Sequence, residues 1–112
     1  MTRSAFLAFS LLLLAAVPAA AKAAEPFRQD VELKDHVFAP SEIIVPAGQP
    51  VELHIKNLDA TAEEFDSSAL KVEKVIAGKG EGVVHIHPLA PGRYPFMGEY
   101  HEKTAHGVVI AR

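Results

Sequence analysis

The 112-residue chain contains no cysteine, and that absence removes several chemistries at once. Disulfides cannot brace the fold, so burial alone has to hold it. No thiolate is available to bind a metal, and lipid anchoring through a leader cysteine is excluded. Runs of basic residues are also missing: 11 Lys and Arg stand against 14 Asp and Glu, a formal net charge of −3. That balance argues against nucleic acid or an anionic membrane surface as partner. No glycine-rich phosphate loop precedes a helix, and Ser67 and Ser68 sit in no nucleophile motif. The chain is short for an enzyme with its own substrate pocket. No apolar stretch is long enough to span a bilayer, since the longest ends at Val17 after starting at Ala5.

That apolar stretch has a reading of its own. Arg3 gives it a positive start, and Ala21-Lys22-Ala23 supplies small residues at the spacing a signal peptidase reads. Residues 1–23 are therefore expected to be a secretory signal peptide, cleaved near Ala23, with residues 24–112 as one domain. Removing Arg3 and Lys22 leaves 9 basic against 14 acidic residues, a net of −5. The expected compartment is extracytoplasmic, and for a bacterial leader it is the periplasm.

The remainder reads as short β-type segments separated by turn signals. Glu25 to Asp30 reads as a lead-in, and Val31 to Phe38 as a strand broken by Ala39-Pro40. Glu42 to Val45 precedes the turn Pro46-Ala47-Gly48. Val51, Leu53 and Ile55 alternate with Glu52, His54 and Lys56, the period-two pattern of a strand with one buried face. Val72–Ile76, Val83–Ile86, Arg93–Met97 and Val108–Ala111 complete the set. Leu58 to Leu70 lacks alternation and reads as a long connection with room for a helical turn. Short strands with Gly and Pro punctuation indicate an all-β sandwich.

The stretch Tyr94-Pro95-Phe96-Met97-Gly98-Glu99-Tyr100-His101 continuing to His106 resembles the metal loop of a cupredoxin with its cysteine removed. Tyr94 and Phe96 hold the strand positions, Gly98 the cysteine position, His101 the histidine position and His106 the axial position. Phe38-Ala39-Pro40 through Ile44-Val45-Pro46-Ala47-Gly48 resembles a cupredoxin opening. Asn57-Leu58-Asp59 with Glu63-Glu64-Phe65, and Leu89-Ala90-Pro91-Gly92-Arg93-Tyr94, resemble the cupredoxin-like domains of bacterial iron-uptake systems. The resemblance implies a cupredoxin-like Greek-key β-sandwich. It also implies a metal site of Glu64, Glu99, His101 and His106, with Met97 and Glu63 as secondary candidates. A one-residue shift in the long connection would exchange Glu63 and Glu64.

Strand parity places Phe96 and Gly98 on the face toward the site and Met97 on the opposite one. His85 and His87, two apart on a strand, share a face and form a weaker surface pair, with Val84 and Ile86 toward the core. His36 and His54 read as surface positions.

A blue copper centre needs a cysteine thiolate, so Gly98 excludes one. Carboxylate and imidazole donors suit Cu(II) first, with iron as the second candidate. The resemblance implies a periplasmic copper- or iron-binding protein that supports iron uptake by a membrane permease, with that permease and its periplasmic proteins as partners. It would act by binding and delivering ions or by assisting Fe(II) oxidation. The alternatives are a copper chaperone or resistance protein, and a metal-free interaction module.

Overall fold

The computed structural model describes residues 25–112 throughout, together with 2–5, 8 and 10–16. The expected cleavage point at Ala23 lies outside the described residues. Leu11 to Leu14 carry no secondary structure and stand exposed, away from the core. Among the described residues no helix is long and apolar enough to cross a membrane.

The described residues form nine strands: β1 (Phe27–Lys34), β2 (Val37–Ala39), β3 (Glu42–Val45), β4 (Val51–Asn57), β5 (Glu63–Ser67), β6 (Val72–Ile76), β7 (Glu81–Ile86), β8 (Gly92–Gly98) and β9 (His106–Ala111). They form two sheets, one in the order β2-β1-β4-β7 and the other β3-β9-β8-β5-β6. The chain is thus an all-β sandwich, as its turn-punctuated pattern predicts. Alternation does the sorting. Val51, Leu53 and Ile55 on β4 face Phe65, Phe96 and Val109 of the second sheet across one buried core. Phe38, Phe65 and Phe96 form its aromatic centre, with Phe65 and Phe96 stacked at 4.8 Å and Phe38 edge-on to both.

Three local expectations need correction. The lead-in is a strand from Phe27 onward, because β1 pairs in parallel with β4 from Phe27↔Val51 to Leu33↔Asn57. Val31 to Phe38 is two strands, not one. Asp35 and His36 both adopt positive φ, at 51° and 57°, and reverse the chain between β1 and β2.

The third correction matters most for function. Inside the supposed connection of Leu58 to Leu70 lies β5, paired with β6 and with β8. Its buried face is Glu63, Phe65 and Ser67, so a true alternation is hidden by two polar residues. The helical turn lies elsewhere, as a 3-10 turn over Glu99–His101 directly after β8.

Candidate metal site

The site is assembled by a relay of hydrogen bonds that begins at the end of β4. Asn57 is buried, and its side-chain amide donates to the carbonyls of Thr61 (2.9 Å) and Ile76 (3.3 Å). Its oxygen accepts from the Asp59 N–H at 3.0 Å, which bends the chain into the loop before β5. The Asp59 carboxylate then accepts the backbone N–H groups of Asp35 (2.7 Å) and His36 (3.0 Å). Those bonds, the His36 one foremost, hold its carboxyl below the usual carboxylate range. They also clamp the β1–β2 turn and so present the His36 ring to the 3-10 turn. There His36 stacks on His101, with ring centroids 3.5 Å apart and planes at 14°.

At the edge of the His101 ring stands Glu63, 1% exposed. One carboxylate oxygen lies 2.5 Å from His101 Nδ1. The other accepts the N–H groups of Tyr100 (2.9 Å) and Glu64 (3.1 Å). Both oxygens are therefore partnered, which is what allows a carboxylate to be buried at all. Among the described residues no buried side-chain polar atom lacks a partner.

Gly98 leaves the room that Glu63 occupies. A Cβ at Gly98 would lie 2.6 Å from Glu63 Cδ and 2.7 Å from the Ala105 methyl. The cysteine position is thus closed twice, by the missing thiol and by the carboxylate that has moved in. A thiolate-bound copper does not fit these residues. Carboxylate and imidazole donors remain: Glu63 and His101 meet, while His36 lies stacked on His101 with its ring nearly parallel, so its nitrogens do not aim at the same point.

The structure divides the predicted ligands into two groups. Glu63 and His101 meet beside Gly98. Glu64, Glu99, Met97 and His106 do not join them. On β5 Glu64 points away from Glu63, as neighbours on a strand must. Its carboxylate lies with those of Asp66 and Glu99, the three offering oxygens within 4.8 Å of one another. A hydrogen bond that the protonated Glu99 carboxyl donates to Glu64, then the like charge of Glu64, raises the Glu99 pKa. Met97 is 39% exposed, and it pairs across the sheet with Asp66 on one side and His106 on the other. Met97 thus takes the face opposite Gly98, as parity predicts, and His106 shares that outer face. The shallow pocket over the 3-10 turn is lined by His36, Glu99, Tyr100, His101 and Glu102 with Lys103 and Thr104, so Glu99 borders it and His106 does not.

His36 was the residue that sequence reasoning passed over, because the turn delivering it depends on Asp59, 23 positions away. For Glu63 a signal existed. Phe65 is apolar and Glu63 shares its face, so anchoring parity on Phe65 selects Glu63 over Glu64.

His85 and His87 are both exposed, while Val84 and Ile86 point into the core, as the alternation predicts. His54 is half-buried rather than freely exposed.

Comparison with known proteins places this geometry. A family model described as a cupredoxin-like domain matches residues 4–111. The uncharacterized protein RP394 of Rickettsia prowazekii (strain Madrid E) is 38% identical over 80 residues, 71% of this chain. The chain spans 64% of that relative's length. Among solved structures, the metal binding domain of the Cu(I)-exporting P-type ATPase CopA of Streptococcus pneumoniae D39 superimposes with a TM-score of 0.65 at 17% identity, covering 76% of this chain and 84% of that one. Auracyanin A, a "blue" copper protein of Chloroflexus aurantiacus, gives 0.64 at 16% identity, covering 79% and 100%. A purple cupredoxin from Nitrosopumilus maritimus gives 0.57 at 13%, covering 74% and 98%. At such identities the likeness establishes the shared fold.

Proposed function

The chain belongs to the cupredoxin-like domain family, and from that premise we propose that it is an exported metal-binding protein that holds Cu(II) at Glu63 and His101. His36 covers the His101 ring by stacking on it. The observation that carries this reading is the convergence of a buried carboxylate and an imidazole, 2.5 Å apart, beside Gly98, with a second imidazole stacked on the first. An ion entering there displaces the proton between Glu63 and His101, so uptake is coupled to proton release. Carboxylate and imidazole ligands favour Cu(II) among divalent ions and also accept iron. When bound, copper would supply a redox-active centre; the chain's own residues bind it, orient it and limit water around it.

The role we assign is support of iron uptake by a membrane permease, with periplasmic proteins of the same system as partners. Ion binding and delivery is the simpler mechanism, because it needs only reversible occupancy. Assistance to Fe(II) oxidation further requires that the copper-loaded protein oxidise Fe(II) faster than buffer does. Copper handling as a chaperone or in resistance is the rival. Growth of a deletion strain separates the two, since iron-limited failure marks uptake and copper sensitivity marks copper handling.

One observation favours a second reading, a metal-free interaction module. Every oxygen of the Glu63 carboxylate is already satisfied by the protein, so the pair can close the loop without an ion. Calorimetric titration with Cu(II), Fe(II) and Zn(II) decides between them. Metal binding at this site predicts that His101→Ala removes one equivalent. An unchanged stoichiometry in that variant would leave the interaction module.

A further inference from the structure

We propose that the outer face of the four-stranded sheet carries a separate divalent-metal site, built from Glu52, His54 and His85, that takes Zn(II) or Cu(II). Glu52 on β4 and His85 on β7 are direct cross-strand partners, and His54 lies two residues beyond Glu52 on the same face. The backs of both strands are locked into the core through Val51, Leu53, Val84 and Ile86. That packing fixes where the three side chains start, which a metal site built on loops would lack.

One carboxylate serves both imidazoles, on different oxygens. Oε2 of Glu52 lies 3.0 Å from His54 Nε2, and Oε1 lies 3.8 Å from His85 Nδ1. Two ligand atoms about 2.0–2.1 Å from a tetrahedral zinc stand about 3.3 Å apart, so the two spacings bracket the edge of such a site. The ligand atoms of the three residues do not all lie within 4.8 Å of one another, so closing the site requires His85, whose side chain is 75% exposed, to change its rotamer. Glu52 and His54 are already held, with 28% and 26% of their side chains exposed.

An isolated surface His–Glu pair would signify little, since such pairs contribute little to stability. The difference here is that two imidazoles from two strands approach one half-buried carboxylate, and both imidazoles line a groove with Asp30, which stands opposite His54. Arg28 stands across from Glu52 in the parallel pair, and its guanidinium is turned to Asp30 at 3.2 Å. It therefore leaves the Glu52 oxygens to the histidines. His87, expected to pair with His85, is replaced in this grouping by Glu52 and His54, which no linear spacing on β7 would bring in.

Three protein ligands of this kind suit Zn(II) or Cu(II) and leave one coordination position open for exchange. The site lies on the other sheet from Glu63 and His101, and it stands whether or not that pair holds an ion.

The test is calorimetric titration of the purified protein with Zn(II), then with Cu(II), in wild type, His54→Ala/His85→Ala, Glu52→Gln and His101→Ala. The double variant is expected to lose one equivalent and Glu52→Gln to weaken that equivalent at least tenfold, while His101→Ala retains it. Thermal unfolding of the double variant should match wild type, separating ligand loss from misfolding. Unchanged Zn(II) and Cu(II) binding in the double variant, or no binding of either ion to wild type, would overturn the proposal. The His101→Ala arm reports on the other site alone, so the two readings fail separately.

Discussion

Replacing Glu63 with alanine should destabilise this protein more than any surface change, and the structure sets the size. The carboxylate accepts two backbone N–H groups and contacts His101 Nδ1 at 2.5 Å, while only 1% of the residue is exposed. Removing this buried acceptor strands two backbone N–H groups and His101 Nδ1, and at about 1–3 kcal/mol for each group left unsatisfied the loss is about 3–5 kcal/mol. A domain of this size has only about 5–10 kcal/mol of total stability. Each kcal/mol shifts its melting temperature by about 4–8 °C, so a fall of at least about 12 °C is expected. Glu63→Gln keeps an acceptor for both N–H groups and should lose only about 1–2 kcal/mol. Urea unfolding at pH 7, read by circular dichroism, gives these values, and the double variant Glu63→Ala/His101→Ala gives the coupling. The single losses should exceed the double loss by about 2 kcal/mol. If Glu63→Ala unfolds within about 1 kcal/mol of wild type, or the two changes simply add, the pair does not hold the loop.

Three further outcomes follow from named contacts. Gly98→Cys restores the missing thiol but drives its Cβ into Glu63 Cδ and Ala105 Cβ; overpacking should cost about 1–3 kcal/mol. No intense visible band should develop with Cu(II), and an absorption spectrum of a blue copper centre in this single variant would refute the steric account. Asp59→Asn should flatten the acid side of the stability profile. The Asp59 pKa is lowered from 3.8 in the folded state, so its contribution is present above that value and is lost as pH falls through the lower one. Urea midpoints at pH 5 and pH 3 should differ less in the variant than in wild type. Glu99→Gln should do the reverse. Glu99 has a raised pKa beside Glu64, so it favours the fold below its ordinary 4.5 and loses that contribution as pH rises through the folded value. The variant should therefore be more stable than wild type at pH 7 and equal to it below about pH 4, and equal midpoints at pH 7 would refute the repulsion.

How far the strands were legible depended on which residues faced inward. β4 announces itself, since Val51, Leu53 and Ile55 are apolar and their neighbours are polar. β5 obeys the same period but puts Glu63 and Ser67 on its buried face, each satisfied by hydrogen bonds from far along the chain. Ser67 donates to the Pro95 carbonyl at 2.7 Å and accepts the Leu70 N–H at 3.0 Å, bonds invisible to a hydropathy pattern. The start of β1 was hidden differently. Its first four residues are exposed or half-exposed, and only the parallel pairing with β4 makes them a strand.

The candidate site separates along the same line. By itself the sequence determined that no thiolate centre can form, that the fold is an all-β sandwich, and that His101 is a metal-loop histidine by resemblance. Composition and period-two alternation are local properties, carried within a few residues. Only the tertiary structure decided that Glu63 rather than Glu64 meets His101, that His36 stacks on the His101 ring, and that Met97 and His106 turn to the opposite face. Those outcomes rest on sheet register and on hydrogen bonds between residues 23 to 38 positions apart. In a sheet, a shift of one residue exchanges the two faces, and nothing in the neighbouring sequence records which register is adopted.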